Sequence, residues 1–125
     1  ETFTELHLVY NATIRSIMEY CSPVFVKVSR VLNEKLEKLD KRAHRIIYGE
    51  SDRMCLCKPN IIEERRFQRS LHLLTAIEKQ SDHLLKELLP ERLPRTGHFP
   101  LPYCRTHNFL YSCIPFTLSL ANSMK

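Results

Sequence analysis

The chain has 125 residues, a formal net charge of +5 and only two glycines, which together favour one basic, predominantly helical domain. No apolar run approaches the roughly 18 residues that a membrane span needs, and no basic-then-apolar signal peptide opens the sequence. The five cysteines lack the spacing of a secreted disulfide framework, so we expect reduced thiols and an intracellular location, cytoplasmic or nuclear.

The fold class that we predict is mainly α, with about four helices. We expect a helical domain over residues 1–89. A proline-rich irregular segment and a short C-terminal element, residues 90–125, would pack on it. The last element is predicted as a helix with Pro115 in its first turn, and a short strand is the alternative.

The first predicted helix runs from about Phe3 to Tyr20 and stops before Pro23, because proline disfavours the helical conformation of its predecessor. Its apolar residues recur at the period of one helix face and are therefore expected to be buried. They are Tyr10, Ile14, Ile17, Met18 and Cys21. The apolar run at residues 24–26 is expected to follow as a buried plug.

The second predicted helix, residues 30–48, carries the clearest pattern, with Ser29 as its N-cap and Gly49 at its end. At about 100° per residue, one narrow apolar stripe is formed by Leu32, Leu36, Leu39, Ala43, Ile46 and Ile47. We predict that Leu36, Leu39 and Ile46 of this stripe lie in the core and face Ile14 and Ile17. Leu39→Ala would then destabilise the domain by about 2–5 kcal/mol.

The third predicted helix spans residues 61–79 and begins with a capping box formed by Asn60 and Glu63. Its expected buried face consists of Phe67, Leu71, Leu74 and Ile77, with Leu73 at the margin. Asp82 is predicted to cap a fourth, short helix that ends at Leu89.

A resemblance extends over nearly the whole sequence. The run IRSIMEYCSPVF at residues 14–25 resembles the segment after the palm in non-LTR (LINE-like) retrotransposon reverse transcriptases, and LEKLDKRAHRII at residues 36–47 resembles the helix that follows it there. Later stretches, among them RTHNFL and LSLANSM, resemble the rest of that C-terminal region. The resemblance implies a fragment of an RNA-directed DNA polymerase: the thumb region, which grips the template–primer duplex.

In such a polymerase the catalytic carboxylates and their magnesium ions belong to the palm, which this segment lacks. The sequence contains no Asp-Asp pair, so we expect no catalytic residues, no cofactor and no polymerisation from the segment itself. The partners implied are an RNA–DNA or RNA template–primer duplex and the missing palm domain of the same polypeptide, with no membrane.

Basic residues on the second and third helices are the candidates for contacts with nucleic acid. On the second helix, lysines and arginines follow one flank of the apolar stripe, whereas Glu37 and Asp40 follow the other. Such a flank is either simply solvated or faces a polyanion. The candidates are Lys35, Lys38, Lys41, Arg42, Arg45, Arg65 and Arg69.

Two alternatives remain open at this stage. The chain could be a free-standing basic helical module, a remnant of a decayed element, that binds nucleic acid or a protein. It could also be a zinc-stapled domain with Cys55, Cys57, Cys104 and His107 as ligands, although Cys-x-Cys is tighter than the usual ligand spacing.

Overall fold

The computed structural model describes residues 2–49 and 61–124, and every regular element within them is helical. The N-terminal helix α1 (Thr2–Tyr10) continues through a π-helical turn (Asn11–Arg15) into α2 (Ser16–Met18). The remaining elements are α3 (Arg30–Tyr48), α4 (Ile61–Lys79), a 3₁₀ turn (Lys86–Leu88), α5 (His107–Leu110) and α6 (Cys113–Ser123). The predicted mainly α fold class is confirmed, and the C-terminal element is a helix.

Helices α3 and α4 have the predicted bounds, and for α3 the local capping signals are visible. The Ser29 hydroxyl accepts a hydrogen bond from the backbone N–H of Leu32 at 3.4 Å. Gly49 ends α3 with a φ of 72°, and its N–H donates to the Arg45 carbonyl at 2.9 Å. Asn60 lies outside the described residues, so its capping box stays a prediction.

Several local expectations are wrong. The first helix is interrupted by the π-helical turn and ends at Met18, and Cys21, expected in the core, is exposed with a φ of 51°. Of residues 24–26 only Val26 is buried. In place of the short helix ending at Leu89 there is a single 3₁₀ turn. Consecutive β-turn-like bonds satisfy its backbone, as between the Leu88 N–H and the Leu85 carbonyl at 3.1 Å.

The main correction concerns α3, which buries a different face from the one predicted. Leu32, Leu39 and Ile46 are 53%, 55% and 75% exposed, whereas the buried residues are Asn33, Glu37, Asp40 and Ile47. The expected contacts Ile14 and Ile17 are also exposed. At 100° per residue, the buried face lies roughly a quarter of a turn from the apolar stripe.

The chain forms two compact units, residues 1–21 with 28–65 and residues 22–27 with 66–125. The sequence-based division at residue 89 stays a prediction. In the first unit α1 runs antiparallel to α3. Phe3 near the start of α1 stacks on Tyr48 at the end of α3, and His7, one turn later, packs against His44, one turn earlier. Ring centroids in these two pairs are 6.4 and 5.6 Å apart.

The second unit has an apolar core of Leu74, Phe99 and Leu118. The Asn122 side chain holds the Phe99 backbone on both sides: Oδ1 accepts from its N–H at 2.8 Å, and Nδ2 donates to its carbonyl at 2.9 Å. These bonds fix the proline-rich segment to α6. The Asn122 side chain thereby satisfies the backbone N–H and carbonyl of Phe99, which lies outside the regular elements.

Arg92 provides a second attachment for the same segment. Its guanidinium makes two hydrogen bonds to the Glu78 carboxylate, at 2.6 and 3.0 Å, and lies 4.0 Å from the ring centroid of Phe99. A fixed arginine–carboxylate pair of this kind is stronger than a single hydrogen bond, so it anchors the proline-rich segment on α4.

Candidate nucleic-acid interface on helix α3

The orientation of α3 is set by a buried polar network centred on Asp40, which is 2% exposed. Its carboxylate accepts a hydrogen bond from the Tyr10 hydroxyl and lies 3.5 Å from Nη2 of Arg15. His44 Nδ1 donates to the Asp40 backbone carbonyl at 2.8 Å. Burial and the Asp40 carboxylate together raise the pKa of Tyr10 above its ordinary value of 10.0, so the hydroxyl keeps its proton.

The π-helical turn explains how Tyr10 and Arg15 reach the same carboxylate. The hydrogen bonds of a π-helix join residues five apart, so such residues lie closer to one face than they do in an α-helix. Arg15 consequently stacks over the Tyr10 ring, with 5.8 Å between the guanidinium carbon and the ring centroid. Glu19 follows four residues later, and its Oε1 lies 3.5 Å from Nε of Arg15.

Glu19 is 2% exposed and links the N-terminal helices to α4 within the first unit. Arg65 donates to it twice, from Nε at 2.5 Å and from Nη2 at 3.1 Å. This hydrogen bond with Glu19 raises the pKa of Arg65. The network thus pairs two arginines, Arg15 and Arg65, with two buried carboxylates, Glu19 and Asp40. This pairing offsets the cost of removing the carboxylate charges from water.

Glu37 is also buried, and it caps the start of α4. Its Oε1 accepts from the backbone N–H groups of Ile62 and Glu63 at 2.8 and 3.3 Å, in the first turn of α4. Unpaired N–H groups at a helix start carry partial positive charge, so a carboxylate there is favourable. Helix α4 is therefore capped by a side chain from α3, 25 residues earlier in the sequence.

Turning the acidic residues inward leaves a basic outer side of α3. Lys35, Lys38, Arg42 and Arg45 are exposed, and Lys41 is half-buried. Glu34, the remaining acid of the helix, pairs with Arg30 at 2.9 Å. In the part of the chain that the structure describes, the four exposed bases make no ion pair. We call these four residues the basic row.

The two candidates on α4 differ from the basic row. Arg65 is half-buried, and its Nε and Nη2 donate to Glu19, so it has an internal role that the sequence did not indicate. Arg69 is exposed and belongs to the second unit. The structure therefore brings together four of the seven predicted contact residues as an exposed row on one helix.

The zinc candidates stay a prediction, since Cys55 and Cys57 lie outside the described residues. Cys104 is half-buried and its thiol donates to the Pro102 carbonyl at 3.3 Å, while the His107 ring stacks on Tyr111. Across residues 2–49 and 61–124, no group of three or more histidine, cysteine or acidic side chains is arranged to hold a metal ion.

The buried polar network was not predicted from the sequence, although one signal for it exists. Asn33, Glu37, Asp40 and His44 follow one another at spacings of four, three and four. That is the period of a buried helix face, and the apolar stripe of Leu32, Leu39 and Ile46, called the leucine stripe below, has the same period. A polar line of this kind is buried only where partners exist for each group, and Tyr10, Arg15 and the start of α4 supply them.

Comparison of the chain with known protein families, with characterised proteins and with solved structures gives no match. Among the helices of the described residues, none is both long and apolar enough to cross a membrane.

Proposed function

We propose that this chain is the thumb region of a retrotransposon-type reverse transcriptase and that α3 holds the template–primer duplex by its phosphates. The observation that carries the proposal is the basic row, whose four side chains are exposed on one side of α3 while Glu37 and Asp40 are buried. The resemblance of residues 14–25 and 36–47 to the region after the palm supports the same assignment.

Binding by such a row depends on phosphate charge and not on base sequence. Each Lys or Arg that neutralises a phosphate releases counterions, so affinity is expected to fall steeply with salt. An RNA–DNA hybrid is approached through its backbone and minor groove, which a helix can follow without reading base edges. The proposed location is intracellular, where such a duplex would form.

The chemistry of polymerisation would come from the palm of the same polypeptide. This chain has no Asp-Asp pair to hold two magnesium ions, so its role is to bind and position the duplex. We expect no nucleotide addition from the segment alone with either Mg²⁺ or Mn²⁺.

A fluorescence-anisotropy titration with an RNA–DNA hybrid tests the proposal, at about 50 mM and about 200 mM salt. The variant changes Lys38, Arg42 and Arg45 to Glu, and its helical content is checked by circular dichroism. The matched control changes Lys79, Arg95 and Arg105 to Glu, three exposed bases elsewhere in the chain, with the same change in net charge.

The proposal predicts loss of binding for the α3 variant, retention for the control, and an affinity that does not depend on the hybrid's sequence. Equal losses in both variants would mean that net charge alone attracts the hybrid. Equal retention would remove these residues from the interface and leave the basic row as a solvated surface.

A further inference from the structure

In the part of the chain that the structure describes, three members of the apolar stripe of α3 are exposed beside the basic row. Leu32, Leu39 and Ile46 are each more than half exposed, and they are spaced seven residues apart. Leu36 and Ala43 lie between them, both half-buried, so the apolar residues alternate at spacings of four and three. This is the a/d pattern of a helix that packs lengthwise against another helix.

The charges along this stripe are asymmetric. In heptad terms Lys35 and Arg42 occupy the g positions, which border the stripe on its exposed side. The e positions on the other side are Asn33, Asp40 and Ile47, and all three are buried in the first unit. A helix that packs on the stripe therefore meets a single charged border, and that border is basic.

A second copy of this chain does not complement that border. In a parallel pair each g position faces an e position of the partner helix, but Asp40 is buried and already bonded to Tyr10. In an antiparallel pair the g positions face each other, which would place Lys35 and Arg42 against the same bases. Like charges in these positions disfavour pairing.

We propose that the α3 stripe is a docking surface for an amphipathic helix of a partner protein, one with an apolar a/d seam and acidic residues on the flank that faces Lys35 and Arg42. Apolar contact would supply the affinity, and the charge pairs would select the partner and fix its register. This goes beyond the proposed binding of a duplex, which does not use the apolar stripe; Lys35 and Arg42 border the stripe and belong to the basic row as well.

The test uses two synthetic peptides of three heptads, with leucine at every a and d position. One carries glutamate at every e and g position, and the other carries lysine there. Like charges at these positions keep each peptide from pairing with itself. Binding to the full chain is measured by isothermal titration calorimetry. We expect the glutamate peptide to bind and the lysine peptide to bind at least tenfold more weakly.

Two variants identify the surface. Leu39→Ser should weaken binding of the glutamate peptide about tenfold or more, whereas Leu84→Ser, at a leucine that is 93% exposed elsewhere, should leave it unchanged. Changing both Lys35 and Arg42 to Glu should reverse the preference and favour the lysine peptide. This reversal cannot come from unfolding, because an unfolded chain would bind neither peptide.

Any one of three peptide results would overturn the proposal: no binding of the glutamate peptide, equal loss in the two serine variants, or no reversal after the charge change. A dimer of the wild-type chain in sedimentation equilibrium that Leu39→Ser dissociates would assign the stripe to a second copy instead. Hybrid binding by Leu39→Ser is measured in parallel. The proposed function predicts that it persists, so the two proposals can fail separately.

Discussion

The hydroxyl of Tyr10 donates a hydrogen bond to Oδ1 of Asp40, and both residues are almost completely buried, at 4% and 2% exposure. They are 30 residues apart in the sequence and belong to antiparallel helices. Through this bond α3 turns its polar side inward. Together with Arg15 and the start of α4, this bond keeps the polar side of α3 buried and leaves the basic row and Leu32, Leu39 and Ile46 on the surface.

Tyr10→Phe is expected to lower the free energy of unfolding by about 1–3 kcal/mol, because the buried Asp40 carboxylate loses a donor. Urea denaturation measures the change. The control is Tyr20→Phe, at a tyrosine that is 77% exposed, where we expect less than about 0.5 kcal/mol. Equal effects in the two variants would mean that the hydroxyl of Tyr10 does not stabilise the fold.

Glu19→Ala is expected to destabilise the first unit by about 3 kcal/mol, since it leaves the half-buried Arg15 without one of its carboxylate partners. The value lies at the lower end for buried pairs because the Arg65 side chain is 43% exposed and is partly solvated after the change. Thermal and urea unfolding both report it. Glu34→Ala breaks the exposed pair with Arg30 and should leave the melting temperature unchanged, so a similar drop there would contradict the assignment.

Leu39→Ala should change the free energy of unfolding by less than about 0.5 kcal/mol, because more than half of the side chain is already in water. This replaces the larger loss expected from the sequence. Ile62→Ala, at a residue with 0% exposure, should cost about 2–5 kcal/mol. A large loss at Leu39 with a small one at Ile62 would restore the leucine stripe to the core.

Stability is expected to fall as the pH drops below 6.5, and His7 is the cause. Burial lowers its pKa, and His44 and Arg15 lower it further, while Asp40 opposes them. In the described part of the chain, Nδ1 of His7 is buried and has no hydrogen-bond partner. The unfolded chain therefore takes up this proton at a higher pH than the folded chain does, which favours unfolding below 6.5.

Urea midpoints from about pH 7.5 to about pH 5 measure this effect. His7→Phe keeps an aromatic ring beside Tyr48 and removes the titration, so its midpoint should depend less on pH. His72→Gln, at an exposed histidine of α4, should keep the wild-type slope. An unchanged slope in His7→Phe would assign the pH dependence to other groups.

Much of the secondary structure follows from local sequence signals. The bounds of α3 were predicted because its caps, Ser29 and Gly49, act within a few residues, and those of α4 agree with the period of its apolar residues. The interruption of the first helix was not predicted. A π-helical turn at residues 11–15 is stabilised by what it places together, Tyr10, Arg15 and Asp40, and Asp40 lies far along the chain.

The sequence by itself determined that α3 forms and that it has two faces with the period of a helix. One face carries Leu32, Leu39 and Ile46, and the other carries Asn33, Glu37 and Asp40. Because both repeat at the same spacing, periodicity cannot choose which is buried, and hydrophobicity alone favours the leucines. Only the tertiary structure decided, by bringing Tyr10, Arg15 and the N–H groups at the start of α4 to the polar face, where every buried carboxylate finds a partner.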